Sequence, residues 1–227
     1  MKRSRWAFVS LSVFAAGVLV WWAARPEPVP SLDGRPLTDW VREVETGGVD
    51  GKRKPAANEV LYAAGPRIIP DLSRLLLWRE YPWITRLPSA WIPRAIRIRY
   101  HDQVTLKANA TWVISVVAFR NPNCPEARDA VPALITALNS GSEEVRCTSA
   151  QALAAVGAAA SNAVSKLVVL TTDESSSIRL CAVEALGRIG FRSTESVQAV
   201  RAALVDTNDD VRFLATRALE RLESDTQ

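Results

Sequence analysis

Histidine is nearly missing from these 227 residues, His101 being the only one. Imidazole pairs therefore cannot be assembled, which excludes His-rich metal sites and the zinc-peptidase motif. The chain also lacks a Gly-x-Ser-x-Gly elbow and a glycine loop that would cradle phosphate. His101 followed by Asp102 reads as an ordinary surface pair. Ser-Lys and two-carboxylate sites use common residue types and are not excluded by counting, but no motif marks one. No catalytic, cofactor-binding or metal-ligating residue is assigned, and the chain reads as a non-enzyme that needs no cofactor.

A large excess of one charge is absent too. The formal charge is +4, but without Lys2, Arg3 and Arg5 the balance is 25 basic to 24 acidic residues. The basic character is thus a topology signal, and nucleic acid is not expected as a partner. The remaining charge is uneven: residues 52–107 hold eleven basic and four acidic side chains, and residues 173–227 hold seven and ten.

What is present is a pattern written three times over residues 131–222. Val145-Arg146, Ile178-Arg179 and Val211-Arg212 lie 33 apart, as do Ala152, Ala185 and Ala218, then Leu153, Leu186 and Leu219, then Val156, Ile189 and Leu222. A constant period of this size signals a solenoid of stacked units. Within each copy Leu134/Leu138, Leu167/Leu170 or Val200/Leu204 mark a first amphipathic helix. A polar break follows, and the Val/Ile-Arg pair opens a second helix, closed in two copies by Gly157 and Gly190. One helix-turn-helix cannot bury its own apolar face, so the copies must stack. The predicted fold is an all-α solenoid.

Pro132-Ala133-Leu134-Ile135, Glu144-Val145-Arg146 and Ala150-x-Ala152-Leu153-x-x-Val156-Gly157 resemble HEAT repeats, especially the short type of phycobilin lyase subunits. The resemblance covers 131–222 well and 53–130 more loosely. It implies an armadillo-like helical scaffold whose second helices line a groove. It also implies a ladder of ion pairs between neighbours, in which an Asp six residues before the Arg takes part. Asp173 and Asp206 stand in that position, and Ser140 replaces the Asp in the first copy. HEAT-like hydroxylases hold iron with His-Glu pairs, which this chain lacks.

Ahead of the repeats, Trp6 to Ala24 is an uncharged run of nineteen residues, roughly 28 Å as a helix and about the thickness of a bilayer core. Trp21 and Trp22 suit an interfacial belt better than a cleavage site. Residues 1–24 are therefore expected to be an uncleaved signal anchor, a removed signal peptide being the alternative. The basic residues before the run would send the rest outward, to the periplasm in a bacterial cell. Residues 25–36, with four prolines, read as an extended linker. Residues 37–52 read as a capping helix with Leu37, Trp40, Val41 and Val44 on one face, stopped by Gly47-Gly48. The repeat domain is placed at 53–223.

Inside that domain, Ala56 to Ala64 is expected to be a second-type helix ending at Gly65, and Ile68 to Leu76 the first helix of the next unit. Its second helix is placed at Val104 to Phe119, with Ala108, Trp112, Val116 and Phe119 on the apolar side. Between them, 78–102 breaks the period and carries three prolines, five arginines and five aromatics. Arg94, Arg97, Arg99, Trp83 and Trp91 are its candidate contact residues, since Arg and Trp concentrate binding energy. Packing of the tryptophans back on the solenoid is the alternative. Cys147 and Cys181, at nearly matching places on second helices, read as small packing residues, with a disulfide between neighbouring helices the alternative.

The second-helix positions that do not face the core give Cys147, Gln151 and Ala155 in the first copy, Leu180, Glu184 and Arg188 in the second, and Phe213, Arg217 and Arg221 in the third. Their chemistry varies where the core columns do not, so they are the candidate partner-binding residues; a plain solvated face is the alternative. The expected function is a protein–protein scaffold held in the membrane by its N-terminal helix, binding another protein of the cell envelope. The alternatives are a lyase-like or other enzyme-associated subunit, or a binder of an anionic envelope polymer or lipid headgroup through the Arg-rich insertion.

Overall fold

The structure is a computed structural model that describes residues 30–44, 55–77 and 94–224, with the side chains of 55–56, 94–102 and 224 left aside. The expected anchor, the Gly47-Gly48 stop and positions 78–93, including Trp83 and Trp91, lie outside the described residues. The chain divides into two units, Met1–Leu37 and Thr38–Gln227.

In the first unit, the stretch read as an extended linker ends in a small hairpin. β1 (Ser31–Leu32) pairs antiparallel with β2 (Arg35–Pro36). Asp33 and Gly34 turn the chain with φ of 52° and 76°, the two left-handed residues that a tight hairpin turn requires. The prolines alone did not reveal this, because Asp-Gly outweighs them locally.

The second unit is helical. The cap helix α1 (Leu37–Arg42) is short, and the amide of Asn109 donates to the carbonyl oxygens of Val41 at 2.9 Å and Val44 at 3.4 Å. A buried side chain of the repeat domain thereby satisfies the carbonyls left open where α1 ends. Next come α2 (Pro55–Ala64), a 3-10 turn (Gly65–Ile68) and α3 (Ile69–Leu76). Ile68, Ile69, Leu72, Leu75 and Leu76 are all buried, as their spacing predicts.

α4 (Arg94–Arg120) is longer than expected and is rotated from the expected face. It starts directly after Pro93, where proline no longer interrupts the backbone ladder, so the end of the presumed insertion, including Arg94, Arg97 and Arg99, is helical. Leu106, Ala110, Val113, Ile114 and Val117 are buried with Ala108, whereas Trp112 and Val116 are half-buried and Phe119 is 69% exposed. Residues 112–119 carry apolar side chains on every side, so periodicity could not choose between faces.

After the short α5 (Pro125–Asp129) the three copies follow: α6 (Val131–Ala137) with α7 (Glu143–Val156), α8 (Val164–Leu170) with α9 (Ser176–Ile189), and α10 (Thr194–Ala203) with α11 (Asp209–Ser224). The second helices stack in the series α4, α7, α9, α11, and the first helices form the other layer. Val145, Ile178 and Val211, with Ala152, Ala185 and Ala218, are buried between the layers. Leu153 and Leu186 are buried as well, while Leu219 is only half-buried. Each buried Leu or Ile contributes roughly 1.5–3 kcal/mol by leaving water.

Polar side chains define the helix ends. The Ser142 hydroxyl accepts from the Val145 amide, Ser193 and Ser196 cap α10 reciprocally, and Asn208 accepts from the amides of Asp210 and Val211. Gly157 and Gly190 close α7 and α9 with φ of 70° and 68°. Gly187 has a different role: a Cβ there would lie 2.6 Å from the Cβ of Ala218, so the missing methyl lets α9 and α11 approach. By length and composition the stretch Glu143–Leu170 could cross a membrane. It is α7 and α8 joined through the 3-10 turn Gly157–Ala163, and Val145, Ala152, Leu153, Val164 and Leu167 within it are buried in the solenoid.

Candidate functional site

The three interhelical loops carry one repeated device. In each, a side-chain oxygen accepts from the amide two residues on: Ser140 from Ser142 at 3.2 Å, Asp173 from Ser175 at 3.0 Å and Asp206 from Asn208 at 2.9 Å. The arginine six residues later donates back to the same residue's carbonyl, Arg146 to Ser140, Arg179 to Asp173 and Arg212 to Asp206. The arginine then reaches across to the next copy. Arg179 meets the Asp206 carboxylate in a two-pronged contact at 2.7 and 2.8 Å, and Arg146 meets Asp173 at 3.6 Å. Arg212 pairs instead with Asp209 of its own helix. Ser140 keeps the turn and lacks the charge, so the ladder has two rungs.

The rungs differ in strength. Hydrogen bonds from Arg179 hold the Asp206 carboxyl down to about 2, against the opposing effect of burial. Two parallel N–H donors aimed at a carboxylate favour its charged form. At the other rung the Nε of Arg146 is buried without a partner. These arginines are structural, and their places are fixed by the loops.

On the far side of the second helices a shallow depression of about 290 Å³ opens between α4, α7 and α9. It is lined by Val116 and Phe119 of α4, Gln151 and Ala155 of α7, and Glu184 and Arg188 of α9, with Ser115 and Ala154 completing it. Four positions of the sequence-predicted columns, Gln151, Ala155, Glu184 and Arg188, therefore share one groove. Glu184 and Arg188 pair at 3.1 Å across one helical turn. Phe213, Arg217 and Arg221 continue the columns on α11 and are exposed. The Arg217 guanidinium lies 5.8 Å from the Phe213 ring centre. Leu180 is half-buried.

Cys147 is also half-buried, and it is joined to Cys181 by a disulfide across 5.5 Å between Cα atoms. The reading of both as free packing residues is corrected here: a one-residue offset from the 33 period brings the two β-carbons face to face across α7 and α9. Cys181 is buried at 2% exposure, and the Gln151 amide lies 3.9 Å from its sulfur. The disulfide thus sits one turn from the depression and ties together two of the helices that form it.

Sequence reasoning missed Ser115, Val116 and Phe119. The signal was available, because α4 heads the same row of second helices and its last two turns stand beside Gln151 and Ala155. Among the described residues no three His, Cys, Asp or Glu side chains converge as a metal site would require.

Residues 131–220 match the family described as HEAT repeats, and residues 104–156 match that of the HEAT-like repeat. The fold is a HEAT/armadillo-like solenoid. Among solved structures the solenoid is similar to a designed armadillo repeat protein in complex with the peptide (KR)4, at 19% identity and a TM-score of 0.50, covering 83% of this chain and 81% of that one. It is also similar to the complex of CpcE and CpcF of phycocyanin lyase from Nostoc sp. PCC7120, at 19% identity and a TM-score of 0.50, covering 88% and 70%. No curated protein sequence matches the chain. At these identities the likeness shows the fold alone.

Proposed function

We propose that this chain is a non-catalytic scaffold, anchored in a membrane by residues 1–24, whose repeat domain lies outside the cytoplasm and binds another protein of the cell envelope through its second-helix groove. The observation that carries this reading is the contrast between columns. The core positions repeat from copy to copy, while the groove positions Gln151, Glu184 and Arg217, at the same spacing of 33, differ in size, charge and hydrogen bonding. A face that served only solvation would have no need of a depression bounded by an exposed Phe119.

Two features support the location. Three basic residues precede an uncharged run of nineteen, the arrangement that keeps an N-terminus cytoplasmic and exports the rest of the chain. The Cys147–Cys181 disulfide belongs to an oxidising compartment.

A C-terminal reporter active only outside the cytoplasm should be active in cells and should stay with the membranes after a high-salt wash. Crosslinking in intact membranes and co-purification should then bring down a discrete protein. A reporter that is silent outside the cytoplasm contradicts the topology. Crosslinked membranes that yield the chain alone contradict the scaffold.

A further inference from the structure

We infer that the Cys147–Cys181 bond is a redox-operated clamp on the depression, opened by a dithiol that attacks the Cys147 sulfur and leaves α7 and α9 free to rock at their junction. The clamp is a property of this chain alone; only its consequence for binding rests on the scaffold reading above. One position in the row of second helices changes its chemistry from junction to junction. Between α4 and α7 the hydroxyls of Thr111 and Thr148 meet at 2.5 Å. Thr148 lies 33 residues before Cys181, and Cys147 and Cys181 lie 33 before Leu180 and Leu214. The row therefore runs from a hydroxyl pair to a disulfide, with two half-buried leucines in the corresponding places of the next junction. Of these three forms, only the disulfide is made and broken by thiol exchange.

The bond also sits where the polar ties between copies are weaker. Between α9 and α11 the Arg179 guanidinium grips the Asp206 carboxylate at 2.7 and 2.8 Å. Between α7 and α9 the matching rung is a single contact of 3.6 Å from Arg146 to Asp173, with the Arg146 Nε left without a partner. The other polar contact there, from the Ser175 hydroxyl to the Glu143 carboxylate, is exposed and competes with water. Ala154 takes the place that Gly187 has in the next copy, so the backbone approach seen against Ala218 is not available to α7. The depression straddles this junction, with Gln151 and Ala155 on one side and Glu184 and Arg188 on the other. Rocking of α7 against α9 therefore changes its width directly.

The two sulfurs are not equivalent. Cys147 is half-buried and Cys181 is buried, so a thiolate arriving from solvent meets the Cys147 sulfur first. Attack there forms a mixed disulfide on Cys147, and the electron pair of the broken S–S bond leaves on Cys181, which takes a proton from water. The Gln151 amide, 3.9 Å from that sulfur, favours the charge that develops on it. The second thiol of the reductant, as its thiolate, then attacks the reductant's own sulfur and releases Cys147 as a thiol. Two electrons and two protons pass from the dithiol to the chain, and the dithiol becomes a disulfide.

The test uses the full chain in a neutral detergent and has two readouts. Brief treatment with reduced glutathione, quenched in acid and mapped by peptide mass, should place glutathione on Cys147 and not on Cys181. For the second, nitroxides on a non-cysteine handle are placed in pairs at Glu144, Ser177 and Asp210, exposed positions 33 residues apart in the first turns of α7, α9 and α11. Dipolar electron paramagnetic resonance, in the continuous-wave mode suited to neighbouring helices, reads each pair before dithiothreitol and after its removal under nitrogen. The distance distribution of the 144–177 pair should widen about twofold on reduction, while that of the 177–210 pair stays as it was. The double variant Cys147→Ala, Cys181→Ala should show the wide distribution from the start and should not respond to dithiothreitol. Glutathione on Cys181, an unmoved 144–177 pair, equal widening of both pairs or a response of the double variant overturns the clamp. If the two readouts come out as expected while crosslinked co-purification captures no protein, the clamp stands and the scaffold reading falls.

Discussion

Replacing Gly187 by alanine tests the stacking of copies where it is tightest. In a helix interior this change ordinarily stabilises, by about 1 kcal/mol, because alanine restricts the unfolded chain. Here the new Cβ would meet the Cβ of Ala218 at 2.6 Å and its Cα at 2.7 Å, about 1 Å inside ordinary carbon–carbon contact. The second of these is backbone, so no rotamer change relieves it. α9 and α11 must separate, which forfeits contacts along the whole interface. Overpacking of this kind costs about 1–3 kcal/mol, and a backbone clash puts it at the upper end. The net expectation is a loss of about 1–2 kcal/mol, or a fall in Tm of about 2–8 °C for a domain of this size. Circular dichroism melts of Gly187→Ala, Ala218→Gly and the double variant check it. The double variant should lose less than the sum of the single ones, since the nearest clashing atom is gone. A rise in Tm for Gly187→Ala would refute the close approach of these helices.

Leu186→Ala should cost about 2–5 kcal/mol from lost burial and a residual cavity, Leu186 being 1% exposed. Glu184→Ala, in the groove, should change stability by no more than about 0.5 kcal/mol; equal melting shifts would mean that α9 is rotated. The Asp206 carboxyl, held down to about 2 by Arg179, contributes stability that is present above about pH 4 and is lost as the pH falls through 2. The full shift is worth about 2.5 kcal/mol, and nearby solvent reduces it to about 1–2. Asp206→Asn should therefore be destabilising at neutral pH and converge on the parent in acid titration melts, with Asp173→Asn smaller. Reducing the Cys147–Cys181 bond, which closes a loop across a separation of 34 residues, should cost about 3–4 kcal/mol by loop entropy. An unchanged melt in reductant would show that the bond does not tie the copies.

The repeat was legible because selection of core residues recurs at a fixed spacing: Val145, Ile178 and Val211 name one another, and each proves buried. The ladder was expected only through the resemblance to HEAT repeats, whose Asp six residues before the Arg is matched here by Asp173 and Asp206. Its direction, Arg179 to the following copy's Asp206, needed the stacking of loops. α4 was harder, because an all-round apolar helix carries no phase, and Phe119 was therefore assigned to the wrong side. The disulfide depended on the stagger between α7 and α9, a property of the packed helices that no single helix encodes. The groove was half visible: Gln151, Glu184 and Arg188 followed from helical phase, whereas α4's share of it required knowing that α4 lies next to α7.

Site-specific photocrosslinking in intact membranes tests the groove itself. A photoreactive residue at Gln151, Arg188 or Arg217 reports on the second-helix face, and one at Ser165 or Gln198 on the exposed side of the first helices. Discrete adducts to another envelope protein are expected from the first three positions and not from the last two. Adducts from Ser165 and Gln198 alone would place the binding face on the opposite layer and contradict the account.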